Sequence, residues 1–155
     1  GMAQRAYSEG SHVRTGRDIA SPQIPQGSAD VLIGFEPGEA AANLGYLKKG
    51  GTLIVCSSEI KPVTAALGKS DYDGIASVRW LKDTVDKCYV IDPDEICQAC
   101  GSPKVLNVAL VGALAATGAM AITVEEIEKA LAVKLKPQLL DMNIKALHMG
   151  ADKIR

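Results

Sequence analysis

Aromatic side chains are scarce in this sequence: one Trp, one Phe and four Tyr among 155 residues. A core without large rings must be filled by Ala, Val, Leu and Ile, which suits helices packed closely on a parallel sheet. An excess of either charge is lacking too. Seventeen Lys and Arg face eighteen Asp and Glu, for a formal net charge of -1, and the basic residues are scattered. That balance points to no nucleic-acid or membrane-surface partner. Long apolar runs are missing. Asn107–Ala116 is apolar but too short to cross a bilayer, and its position inside the chain is wrong for a signal peptide. The four cysteines, Cys56, Cys88, Cys97 and Cys100, form no secreted disulfide framework, so a cytoplasmic location is expected. There is no Gly-x-Gly-x-x-Gly, no P-loop, no nucleophile elbow and no metal-ligand cluster. Read alone, the chain carries no complete catalytic kit.

What is present fits one domain with one substantial core. Hydrophobic residues make up 47% and charged residues 23%, an ordinary balance for a soluble globular chain. Ser11–Arg14 and Asp18–Ala20 flank Thr15-Gly16-Arg17 and read as a small hairpin. Pro22 and Pro25 force an extended connection after it. Val31-Leu32-Ile33-Gly34-Phe35 is a continuous apolar run, as expected of a strand buried on both faces. Pro37 stands at a plausible first helical position. The helix it opens carries Ala40–Leu47 and is expected to stop at Gly50-Gly51. Thr52–Cys56 and Cys88–Ile91 read as two further strands, with a mildly amphipathic stretch at Ile75–Val85 between them. Lys61–Asp73 reads as a loop with some helix.

After Asp92-Pro93 the pattern turns helical. Asp94–Ala99 is short, and Lys104–Thr117 is apolar all round and should be largely buried. Thr123-Val124-Glu125-Glu126 is a capping-box signature opening a helix to about Leu135. Pro137 opens a last helix, with Gly150 expected as its stop. Strands alternating with helices predict an α/β fold: a three-layer α/β/α domain on a mostly parallel, Rossmann-like sheet, with an N-terminal hairpin and a helical C-terminal third.

Several residues could carry chemistry. Cys97-Gln98-Ala99-Cys100 reads as a redox pair, as half of a metal site, or as two small residues on a short helix. A zinc or [4Fe-4S] site needs four ligands, and without a second paired motif the last reading is preferred. His12 could be a general base, but no partner can be assigned from spacing, and a structural or interface role is preferred. His148 reads as a surface or packing residue. Gln4, Arg5, Ser8 and Glu9 form a polar loop beside Gly10, and Arg5 suits a carboxylate or phosphate because its planar fork binds bidentately. Against that stands a solvated loop. Glu36 follows the C-terminal end of a strand, where open α/β sheets place ligands, but an acid near a helix N-terminus explains it nearly as well. Asn107 stands amid apolar residues and is expected to be a buried amide with hydrogen-bond partners. Gly112, Ala113, Ala116 and Gly118 read as close helix packing.

Six segments also carry a family resemblance: Gly1–Arg5, Ser11–Arg14, Ala29–Pro37, Tyr46–Thr52, Asn107–Gly112 and Asn143–Gly150. In this order they resemble the small subunits of indolepyruvate:ferredoxin oxidoreductases, the gamma family of the 2-oxoacid:ferredoxin oxidoreductases. The family opens with a strand, a Gly-rich turn and a helix that are absent here. Residues 1–155 are therefore expected to form a single gamma-type domain, incomplete at its N-terminus. The family's Arg-Gly-Gly stands here as Arg5-Ala6-Tyr7.

The resemblance implies oxidative decarboxylation of an aryl 2-oxoacid with coenzyme A and ferredoxin. It places thiamine diphosphate and [4Fe-4S] clusters on a larger partner subunit and none on this chain. Gln4, Arg5, Ser8, His12, Glu36 and Asn107 become candidates for contact with substrate, coenzyme A or the partner subunit. The isolated chain is expected to be inactive and to form a homo-oligomer. A non-catalytic interaction or scaffold module is the alternative.

Overall fold

The computed structural model describes residues 23–57 and 69–155. The hairpin expected at Ser11–Ala20 and most of the Lys61–Asp73 stretch lie outside those residues. Three strands form the described sheet: β1 (Ala29–Gly34), β2 (Leu47–Cys56) and β3 (Lys87–Ile91). Their order is β1-β2-β3 and both pairings are parallel. Two helices fill the crossovers, α1 (Pro37–Ala42) and α2 (Lys69–Thr84). Four more follow β3: α3 (Pro93–Cys100), α4 (Leu106–Ala116), α5 (Val124–Lys134) and α6 (Pro137–Asp152). No single helix among the described residues is long and apolar enough to cross a membrane.

The sheet is covered on both faces because its strands are apolar on both. Side chains alternate across a strand. Leu53 and Val55 of β2, with Leu32, Cys88 and Val90, meet Ala40 of α1 and Leu81 of α2. Ile54 and Cys56, with Val31, Ile33 and Ile91, meet Ile96 of α3, Ala109, Leu110 and Ala113 of α4, and Ala146 of α6. The expected three-layer α/β/α arrangement is thus observed. Leu53, Ile54, Val55 and Cys56 are fully buried, and each large aliphatic side chain so placed contributes roughly 1.5–3 kcal/mol. Both crossover helices sit on one face, as right-handed connections stepping in one direction require. Val124 and Ile127 of α5 join Ala115, Leu147 and Ala151 in a smaller cluster.

Three boundaries differ from expectation. The helix after β1 ends at Ala42, a 3-10 turn occupies Leu44–Tyr46, and β2 already begins at Leu47. Ala29 pairs with Leu47 and Val31 with Thr52. Two steps along β1 thus match five along β2, and Lys48–Gly51 bulge out of the ladder. Gly50, at φ 80°, accepts the left-handed backbone there. The glycine pair therefore shapes a strand irregularity and stops no helix. Gly150 does not end α6 either; the helix runs through it to Asp152. Gly118, exposed at φ 73°, lies past the end of α4 and packs no helix. The capping box is as expected: Thr123 Oγ1 accepts the Glu126 N–H at 3.1 Å and opens α5.

Candidate functional site

In an open parallel sheet the carboxyl ends of the strands face the ligand crevice. Here they lead into Phe35-Glu36 after β1, Ser57 after β2 and Asp92 after β3. The Ser57 N–H donates to the Ile91 carbonyl at 2.8 Å, carrying the β2–β3 pairing one residue further. Asp92 is committed locally. Its Oδ1 accepts the N–H groups of Asp94 at 2.9 Å and Glu95 at 3.4 Å, capping α3. Pro93 follows at the first helical position, where its missing N–H costs nothing. Glu36 occupies the same position before α1 but makes no side-chain cap, and it is exposed.

Phe35 departs from the sequence expectation. The run Val31–Phe35 reads as wholly buried, yet the strand ends at Gly34 and Phe35 is 50% exposed. Pro37 is the signal that could have shown this. A proline at the helix start pushes the residue before it into extended backbone, and Glu36 is indeed at φ -137° and ψ 143°. The ladder is left behind two residues earlier.

Asn107 is corrected as well. It is the second residue of α4 and it is exposed, not a buried amide. Apolar neighbours in sequence misled because α4 is buried on one side only, through Ala109, Leu110, Gly112, Ala113 and Ala115. Glu36 precedes α1 and Asn107 lies in α4, helices on opposite faces of the sheet. Gln4, Arg5, Ser8 and His12 lie outside the described residues.

The cysteines are all free thiols. Burial pushes the Cys56 thiol from its ordinary 9.0 up to about 11, with the charge of Cys97 adding to the rise. Cys97 is raised by burial first, then by Asp94 and Cys100. Cys88 is raised by burial, against the opposing pull of Lys82. Raised thiols are poor nucleophiles, because the thiolate is the reactive form. The Cys100 thiol points its Sγ to Met149 Sδ at 4.0 Å, a packing contact between α3 and α6. A [4Fe-4S] cluster needs four converging thiolates. Cys56 and Cys88 lie on opposite faces of the sheet, so these four residues do not fit one. Among the described residues no group of three or more His, Cys, Asp or Glu could hold a metal ion.

His148 of α6 pairs with Glu128 of α5. Lys153 reaches Glu95 at 3.2 Å, and the Lys145 ammonium donates to the Ala99 carbonyl at 2.9 Å, so α6 is also tied to α3. These contacts fasten the helical layer, and only the Lys153–Glu95 pair lies near a strand end, in the first turn of α3.

The chain has recognisable relatives. The family model for pyruvate ferredoxin/flavodoxin oxidoreductase matches residues 1–153. Indolepyruvate oxidoreductase subunit IorB of Thermococcus kodakarensis is 32% identical over 152 residues, covering 97% of this chain and 75% of that protein. The protein of the same name from Archaeoglobus fulgidus is 34% identical over 151 residues, with the same coverage of 97% and 75%. Among solved structures, the gamma subunit of a keto/oxoacid ferredoxin oxidoreductase from Geobacter sulfurreducens superposes with a TM-score of 0.57 at 20% identity, over 86% of this chain and 66% of that one. Pyruvate oxidoreductase subunit PORC of Thermotoga maritima gives 0.54 at 21% identity, over 81% and 64%. This chain thus spans just under two thirds of either solved structure, and those two likenesses establish the fold. The match across residues 1–153 establishes more: the chain belongs to the pyruvate ferredoxin/flavodoxin oxidoreductase family.

Proposed function

We propose that this chain is the small subunit of a 2-oxoacid:ferredoxin oxidoreductase of the indolepyruvate type. The observation that carries the reading is the run of similarity along nearly the whole chain to proteins named as indolepyruvate oxidoreductase subunits. In the proposed reaction an aryl 2-oxoacid loses carbon dioxide, its acyl group joins the thiol of coenzyme A, and the two electrons released reduce ferredoxin. Thiamine diphosphate and the [4Fe-4S] clusters are assigned to the larger partner subunit, where the thiamine supplies the electron sink for decarboxylation.

This chain contributes position and charge. Arg5, with Gln4, Ser8 and His12 nearby in sequence, is assigned to an anionic group at the shared site, the carboxylate of the 2-oxoacid or a phosphate of coenzyme A. The test is reconstitution with the larger subunit. Indolepyruvate- and coenzyme A-dependent ferredoxin reduction should require both subunits. Equal turnover by the larger subunit alone would refute the assignment.

A further inference from the structure

Among the described residues, the turn leaving β1 presents a half-covered aromatic ring beside an acid that caps no helix. Phe35, the chain's one Phe, is half-exposed. Glu36 stands at a capping position and caps nothing, whereas Asp92 at the corresponding place after β3 bonds two N–H groups. The turn beneath them is firmly held. Gly34 lies so close to α1 that a Cβ on it would fall 2.5 Å from Ala40 Cβ. Pro37 is buried, and the Ala40 N–H donates to the Glu36 carbonyl at 3.0 Å. An aromatic ring carried on rigid backbone loses little conformational freedom when it is covered.

We propose that the Phe35-Glu36 turn anchors this chain on the larger subunit of its enzyme, with Phe35 in an apolar pocket and Glu36 meeting a Lys or Arg on that pocket's rim. The proposal rests on the small-subunit reading above. Charge selects the occupant. Glu36, Asp92 and Asp94 are exposed acids at the carboxyl ends of β1 and β3. A 2-oxoacid and coenzyme A are both anions, and among the described residues the exposed charge beside Phe35 is acidic, which favours a cationic partner over either. A protein surface can supply an apolar pocket and a cation together. A central aromatic anchor with a charged rim is the pattern of protein–protein interfaces.

The experiment measures binding of the full chain to the cognate larger subunit by calorimetry, over a range of salt concentrations. Phe35→Ala and Glu36→Lys are compared with wild type and with Val133→Ala, a control on α5 at 86% exposure. Phe35→Ala and Glu36→Lys should each raise Kd by roughly tenfold or more, and Val133→Ala should match wild type. Glu36→Lys, at an exposed position, keeps the test decisive whatever Phe35→Ala does to folding. Wild-type affinity in Glu36→Lys, or in a folded Phe35→Ala, overturns the anchor and leaves the subunit reading standing. Failure of the wild-type chain to bind the larger subunit overturns both.

Discussion

Gly150 of α6 rests directly on the carbonyl oxygen of Ala109 in α4; a Cβ at Gly150 would fall closer than 3.0 Å to that oxygen. The contact is reciprocal. A Cβ on Gly112 of α4 would meet the carbonyl of Leu147 in α6 just as closely. The two helices touch backbone to backbone, each glycine three residues beyond the carbonyl that faces its partner. Ala is the better helix former by roughly 1 kcal/mol, so an unconstrained site would gain from substitution. Here the obstacle is backbone, which cannot rotate away. Gly150→Ala should therefore lower stability by about 1–3 kcal/mol, read from the urea midpoint. A midpoint equal to or above wild type would show that the helices separate at little cost.

Burial of Cys56 ties stability to alkaline pH. Its thiol ionises at 9.0 in the unfolded chain and is pushed up to about 11 in the folded one. Below pH 9.0 both states hold the proton, and the folded state keeps its full advantage. Between 9.0 and about 11 the unfolded state ionises first, so this residue's share of stability falls by about 1.4 kcal/mol per pH unit. Cys56→Ala should be less stable at neutral pH because it leaves a cavity. Its stability should nevertheless fall less steeply than wild type over that alkaline window. Parallel slopes in denaturant titrations would place the alkaline loss elsewhere.

The placement of the thiols on opposite faces of the sheet leads to a spectroscopic expectation. The purified chain should lack a cluster chromophore and carry no stoichiometric iron or zinc. A visible spectrum and a metal assay check this. Stoichiometric metal that disappears in Cys97→Ser would refute the packing role assigned to that pair.

Arg5→Ala should leave folding intact and weaken the assembled enzyme. Loss of one charge-assisted hydrogen bond costs roughly 1.5–3 kcal/mol. That appears in steady-state kinetics as a lower kcat/KM for the 2-oxoacid or for coenzyme A. Unchanged kinetics would leave Arg5 in solvent.

Thr123→Ala should cost about 1 kcal/mol by removing the cap on α5. The measurement is the thermal midpoint, and Thr123→Ser should restore it. A midpoint unchanged by Thr123→Ala would mean that Val124 and Ile127 hold the first turn of α5 without the hydroxyl.

Much of the architecture was legible in the order of residues. Continuous apolar runs at Val31–Phe35, Thr52–Cys56 and Cys88–Ile91 announce strands covered on two faces, although the first strand stops at Gly34. Pro93, Pro137 and the Thr123 box mark helix starts, because caps and first turns depend on residues a few positions apart. Family membership could be read in the same way, from several segments in a fixed order. Other features depend on contacts between residues far apart in the chain. Gly150 looks like a helix stop until α4 is brought against it, and Gly50 looks like another until β1 pairs with both ends of the bulge. Asn107 sits among apolar neighbours and Phe35 closes an apolar run, yet both are exposed. Local pattern determined which segments become strands and helices, since periodicity and capping act over a few residues. Only the tertiary structure decided which face of each element is covered, because burial is set by what packs against it.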